Sequence, residues 1–223
     1  MEQSDDSSTP SPGTGARRYD GSRRQAEARA RRRRVVDAAR DLFLADGFGD
    51  TSIERIASDA GVSVQTVYAA FGSKPGILGA VVDVAVGGDD EDVLVRDRPE
   101  LQWVSEERDP VEWLRRLSGW IRLAHVRSAD VLHLVDTVSG TDPALAELAE
   151  RLYRARRDDA EFAVRRGPLR PAAVGLTVAE AADLVGVFAG PSTWIELVGH
   201  GRWSHDRYES WLLGVFRREF LPS

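Results

Sequence analysis

Helix-start signals recur along this chain, whereas the alternating patterns typical of β-strands are scarce. A Thr or Asp three residues before a Glu, the spacing of a helix-capping box, occurs at residues 51–54, 109–112 and 177–180. Asp142 is followed directly by Pro143, and proline is tolerated in the first turn of a helix because no intrahelical partner is needed there. Apolar residues recur at intervals of three and four, as in the segment 204–220. These patterns predict an all-α protein with about nine helices.

Composition excludes several classes of protein. The chain has 223 residues and no Cys, which excludes disulfide scaffolds, thiolate metal sites and cysteine nucleophiles. No apolar run reaches the roughly 18–20 residues of a membrane span, and the first 30 residues contain no apolar export segment. We therefore expect a cytoplasmic protein without a membrane partner.

Charge is distributed unevenly along the chain. Residues 17–40 contain ten Arg and three acidic residues, although the net charge of the whole chain is −6. A basic segment on an acidic body favours contact with a polyanion, while a solvated charge run is the competing interpretation. The predicted organisation is a disordered tail at 1–21, a basic domain at 22–75 and a larger helical domain at 76–223.

The tripeptide Gly61-Val62-Ser63 separates two short amphipathic segments. This arrangement is typical of a helix-turn-helix motif, whose second helix lies in the major groove of DNA. In that second helix Val64, Val67 and Phe71 are expected to point inward, so that the intervening polar residues face outward. The predicted DNA contacts are Arg31, Arg34, Thr51, Ser63, Gln65, Thr66, Tyr68 and Lys74.

Different roles are expected for these residues. Gln65 pairs well with adenine, and Thr66 can reach a base or a phosphate. Tyr68, Lys74 and Thr51 are expected to contact phosphates. The Arg-rich segment that contains Arg31 and Arg34 either follows the phosphate backbone, or its more N-terminal part enters a minor groove.

The stretch from Thr51 to Lys74 resembles the signature of the TetR family of bacterial transcriptional regulators. The matching positions include Thr51, Ile56-Ala57, Ala60-Gly61-Val62-Ser63, Tyr68, Phe71 and Ser73-Lys74. The resemblance implies an N-terminal three-helix DNA-binding domain followed by a larger domain for ligand binding and dimerisation. It also implies a homodimeric repressor that is released from a near-palindromic operator by a small-molecule effector.

The resemblance places the effector pocket and the dimer interface in the C-terminal helices. Aromatic and polar-tipped residues are the candidates for the pocket, namely Trp113, Trp120, His125, His133, Phe162, Phe188 and Trp194. No charged residue stands out there as a counter-ion, so we expect a neutral or weakly polar effector. The predicted interface uses the last two helices, including Trp211, Val215 and Phe216, which could instead pack within their own chain.

Two other classes of protein compete with this interpretation. An all-α enzyme could use the acidic run at residues 89–92 as a magnesium site, although that run follows two glycines in a linker. Asp158 and Asp159 lie beside Arg156 and Arg157 and are typical of a solvated helix face. A helical adaptor would leave the Arg-rich segment unexplained. We therefore expect a non-enzymatic protein without metal or cofactor.

Overall fold

The structure, a computed structural model, describes residues 15–88 and 95–222, and those residues contain no β-strand. The N-terminal helices are α1 (Gly15–Ala45), α2 (Ile53–Ala60), α3 (Val64–Phe71) and α4 (Lys74–Gly87). The later helices are α5 (Trp103–Glu106), α6 (Pro110–Val138), α7 (Pro143–Arg166), α8 (Val178–Phe188), α9 (Pro191–Trp194) and α10 (His205–Phe220). Short 3-10 turns lie at Val95–Asp97, Pro99–Leu101, Ser139–Thr141 and Pro171–Val174, and Ile195–His200 is π-helical. The predicted all-α class is confirmed.

Helix α1 is longer than the sequence pattern predicts. It begins at Gly15, within the segment 1–21 predicted as a disordered tail, because the helix is rich in Arg, Ala, Gln and Glu, which have high helix propensity. Ion pairs one turn apart, such as Arg33 Nε to Asp37 Oδ1 at 2.8 Å, add to this propensity. Residues 23–31 are exposed. The rest of the predicted tail, residues 1–14, lies outside the described residues.

The predicted helix starts are capped as their chemistry requires. The Asp109 carboxylate accepts the Glu112 amide at 2.7 Å, and the Asp142 carboxylate accepts the Ala144 amide at 2.7 Å. At the start of α8, Thr177 and Glu180 form a reciprocal capping box. The chain breaks between α8 and α9, since α8 ends at Phe188 and α9 begins at Pro191.

Two clusters of buried side chains hold the helices together. The first contains residues of all four N-terminal helices, α1, α2, α3 and α4, and extends to Val131 and Val135 of α6 and Leu145 of α7. The second joins α6, α8 and α10 around Trp113 and Phe216. Helix α4 crosses the predicted domain boundary at residue 75 and packs entirely with the first cluster. The boundary itself stays a prediction.

Two of the three residues predicted to form the dimer interface on α10 lie in the core of the chain. Val215 and Phe216 are only 5% and 0% exposed, because this side of α10 packs within its own chain. Phe216 belongs to the second cluster, and its ring centroid lies 5.5 Å from that of Phe220. Trp211 is half-buried. The assignment of Val215 and Phe216 to a subunit interface is therefore corrected, and they are core residues.

Among the described residues, no single helix is long and apolar enough to cross a membrane. The consecutive helices α3 and α4 meet that criterion only when taken together, and they are bent by 68° relative to each other.

Candidate nucleic-acid interface

The turn between α2 and α3 depends on Gly61. Its φ of 64° is left-handed, a conformation that costs an L-residue with a side chain free energy. This conformation lets the Gly61 amide donate to Ser58 O at 3.1 Å and the Val62 amide donate to Ala57 O at 3.0 Å. The last carbonyls of α2 are thereby satisfied, and the chain reverses within three residues to begin α3.

Ser63 caps α3. Its Oγ accepts the Thr66 amide at 3.2 Å, and its hydroxyl lies 2.8 Å from the Thr66 hydroxyl. Only one of the two hydroxyl protons is used in this contact, because a single hydrogen bond joins the pair. The other hydroxyl proton is available to an acceptor outside the protein. It lies at the N-terminal end of α3, and the N-terminus of a helix attracts anions.

Helix α3 has one face in the core and one face in solvent. Val67 is 1% exposed and packs in the first cluster, with Phe71 half-buried beside it. Gln65 and Thr66 are exposed, and the Tyr68 side chain is 49% exposed. The predicted division of this helix into inner and outer faces is confirmed.

Two arginines of α1 position the helix-turn-helix motif. Arg34 Nε donates to Ala60 O at 3.1 Å, and Arg32 Nη1 donates to Ala70 O at 3.2 Å. Both carbonyls lie at helix C-termini, where positive charge is favourable. The Arg32 guanidinium also lies 4.5 Å from the centroid of the Phe71 ring. Arg34 therefore holds α2 in addition to any DNA contact, and the contact of Arg32 with α3 is one that the sequence pattern does not predict.

Lys74 has a structural role instead of the predicted phosphate contact. Its ammonium donates to three backbone carbonyls, namely Phe48 O at 2.7 Å, Thr51 O at 3.0 Å and Gly49 O at 3.2 Å. It also lies 4.4 Å from the centroid of the Phe48 ring. All three ammonium protons are thus used within the protein. Lys74 joins the start of α4 to the loop between α1 and α2.

Thr51 is likewise corrected. Its side chain is 1% exposed and its hydroxyl lies near two backbone acceptors, 2.8 Å from Gly47 O and 3.3 Å from Leu42 O. The N-cap of α2 is the next residue, Ser52, whose side chain accepts the Arg55 amide at 3.2 Å. Thr51 fixes the loop before α2 and does not present its hydroxyl to a phosphate.

The predicted effector residues are divided between the core and the surface. Trp113 and Trp194 are core residues, at 0% and 5% exposed, and the Trp113 indole donates to Val104 O at 3.0 Å. His133 is exposed on α6, whereas His125 is buried. The remaining three are half-buried, namely Trp120, Phe162 and Phe188. This placement corrects the pocket assignment, because periodicity marks an apolar face without distinguishing a core from a cavity.

A cavity of about 630 Å³ lies elsewhere, between the end of α6, α7 and the break between α8 and α9. None of the seven predicted residues lines it. Its walls include small residues and several charged ones, among them Asp136, Arg156 and Asp183.

His125 is held as a neutral imidazole. Burial lowers the pKa of its ring from 6.5 to about 4, against the opposing effect of a hydrogen bond to Ala189 O and with a further lowering by the Arg156 charge. The ring nitrogen Nε2 lies 2.9 Å from that carbonyl and must carry the proton, since a carbonyl only accepts. His125 thereby links the middle of α6 to the break between α8 and α9.

No group of three or more His, Asp or Glu side chains in the described residues is arranged to hold a metal ion. The acidic run considered as a magnesium site, residues 89–92, lies outside the described residues.

The geometry defines a helix-turn-helix protein with an all-helical C-terminal body. Residues 35–81 match the family model "Bacterial regulatory proteins, tetR family". Two regulators from Pseudomonas putida, TtgW and SrpR, are each 42% identical over 57 residues, or 26% of this chain. These matches cover 42% of TtgW and 27% of SrpR, so less than half of either relative is matched.

The fold likeness extends well beyond that segment. The structure of NalD, the secondary repressor of the MexAB-OprM multidrug efflux pump in Pseudomonas aeruginosa, matches with a TM-score of 0.61 and 22% identity. The match covers 85% of this chain and 96% of NalD. The resemblance to the TetR family that the sequence predicts is therefore confirmed over residues 35–81, and the likeness of fold covers most of the chain.

Proposed function

We propose that this protein is a sequence-specific DNA-binding regulator of transcription that acts with α3 in the major groove. The observation that carries the proposal is the polar outer face of α3, with Gln65, Thr66 and Tyr68 exposed on a helix whose inner face is fixed by Val67. A rigid, capped helix that projects polar side chains is what direct readout of base edges requires.

Gln65 is the proposed base-reading residue, because its amide can donate to and accept from adenine in the major groove. The free hydroxyl proton of the Ser63 and Thr66 pair is proposed to meet a phosphate at the start of α3. Tyr68 and the exposed Arg31 are proposed to contact the backbone on either side. Thr51 and Lys74 support these contacts from within the protein.

We propose further that two copies bind one near-palindromic operator, because a twofold dimer presents two recognition helices to equivalent half-sites. The surface proposed for pairing is the part of α10 that its own chain leaves half-buried, at Trp211, Leu213 and Gly214. Since NalD is a repressor, repression with release by a small-molecule effector in the cytoplasm is the proposed mode of action.

Selection from a pool of random duplexes tests this function. The full chain should enrich an inverted repeat, and its affinity for the selected duplex should fall steeply with salt because phosphate contacts release counterions. An adaptor or an enzyme would enrich no sequence. Failure to enrich an inverted repeat, or affinity that is independent of salt, would contradict the proposal.

A further inference from the structure

The cavity between α6, α7 and the break between α8 and α9 has the size of a small-molecule site. Its volume of about 630 Å³ lies within the range of roughly 300–1,000 Å³ that is usual for such sites. The space exists because its walls carry little side-chain volume, at Ala146, Ala149, Ala182, Gly186 and Gly190. Tyr153 and Val187, which are 54% and 62% exposed, also line it.

Most of the charges on these walls are already paired. Arg157 Nε lies 2.8 Å from Asp183 Oδ1, and Glu150 Oε1 lies 2.6 Å from Arg154 Nε. Arg156 is different, since no carboxylate in the described part of the chain lies within 4.0 Å of its guanidinium. The remaining charged groups on these walls are Arg156 and Asp136, and Asp136 lies close enough to raise the pKa of the guanidinium.

These two groups differ in their exposure to water. Asp136 is exposed and can be hydrated, whereas Arg156 is half-buried. Burial lowers the pKa of the Arg156 guanidinium, while the nearby Asp136 and Tyr153 raise it. The guanidinium nonetheless stays protonated at neutral pH. The free-energy cost of removing this charge from water is therefore offset only in part by the nearby Asp136 and Tyr153. A partly desolvated cation of this kind is stabilised by an anion that enters the cavity.

We propose that this cavity binds a small organic anion, with a carboxylate on Arg156 and a compact apolar body against the Ala and Gly walls. A guanidinium suits a carboxylate because its planar fork can donate two parallel hydrogen bonds. The identification of this anion as the effector rests on the proposed regulatory function, whereas the binding site itself does not. A charged ligand replaces the neutral effector expected from the sequence, in which Arg156 is indistinguishable from a solvated helix residue.

Calorimetric titration of the full chain with 2-naphthoate and with its neutral counterpart 2-naphthamide tests the site. We expect 2-naphthoate to bind about 10- to 100-fold more tightly, as a charge-assisted hydrogen bond provides. Arg156→Gln should remove this preference. The control Arg165→Gln changes an exposed arginine of the same helix that pairs with Glu161, away from the cavity walls, and should retain it. Asp136→Asn removes the nearby negative charge and should tighten 2-naphthoate.

Equal affinity for the two compounds, or no measurable binding of 2-naphthoate, would overturn the proposal without relying on any variant. Unchanged 2-naphthoate binding by Arg156→Gln would also overturn it. Loss of the dimer in that variant, measured by sedimentation, would assign Arg156 to the subunit interface instead. Binding of 2-naphthoate that leaves operator affinity unchanged would keep the anion site and remove its role as the effector site. Failure of the chain to bind DNA would contradict only the regulatory function.

Discussion

The ammonium of Lys74 donates to the carbonyl oxygen of Thr51 at 3.0 Å, and this bond joins the start of α4 to the residue before the N-cap of α2. Together with the bonds to Phe48 O and Gly49 O, it fixes the loop that leads into the helix-turn-helix motif. Helix α3 is therefore positioned from two sides. Lys74 fixes the loop before the helix-turn-helix motif, and Arg32 donates to a carbonyl near the C-terminus of α3.

Replacement of Lys74 should lower the free energy of unfolding and leave the salt dependence of DNA affinity nearly unchanged. We expect Lys74→Met to reduce the free energy of unfolding by about 1.5–3 kcal/mol, because hydrogen bonds to a charged donor are lost. Denaturant unfolding of the variant and of Arg31→Met, an exposed control, measures this. A stability unchanged by Lys74→Met, with a shallower salt dependence of DNA affinity, would restore the phosphate contact predicted from the sequence.

The turn at Gly61 gives a second prediction. Gly61→Ala should destabilise the protein by about 1–2 kcal/mol, since a left-handed φ is costly for a residue with a Cβ. A Cβ at this position meets no atom within 4 Å, so the cost arises from the backbone alone. Gly61→Asn should cost less, because Asn tolerates this conformation. Equal melting temperatures for wild type and Gly61→Ala would contradict the assignment.

The buried His125 should make stability depend on pH. Its folded pKa of about 4 lies below the ordinary 6.5, so the unfolded chain binds the proton first as the pH falls. The free energy of unfolding should therefore decrease from pH 6.5 to 4, by about 3 kcal/mol in total. His125→Gln, which keeps a donor for Ala189 O, should flatten this dependence, whereas the exposed control His133→Gln should not. The same slope in both variants would contradict the burial argument.

Subunit pairing through α10 should be sensitive to charge at Leu213. This residue is half-buried in the single chain, and Leu213→Glu would place an unpaired charge within the proposed interface. Sedimentation at micromolar concentration should show a dimer for the wild type and a shift toward the monomer for the variant. A monomeric wild type would exclude this mode of operator binding.

Local chemistry explains which features could be predicted from the sequence. Ser63 and Gly61 act on amides and carbonyls within a few residues, so their roles follow from sequence position alone. The partners of Lys74 lie more than 20 residues away in a loop, and no periodicity identifies them. The same limit applies to Phe216, because its spacing defines an apolar stripe without showing which helix covers it.

Base readout by Gln65 tests the central claim most directly. Once an operator has been selected, affinities of wild type and Gln65→Ala are measured by fluorescence anisotropy for duplexes substituted at each base pair. We predict that the variant loses discrimination at one position in each half-site, at a cost of about 1–3 kcal/mol, and keeps it elsewhere. An identical discrimination profile for the two proteins would show that α3 does not read the operator through this residue.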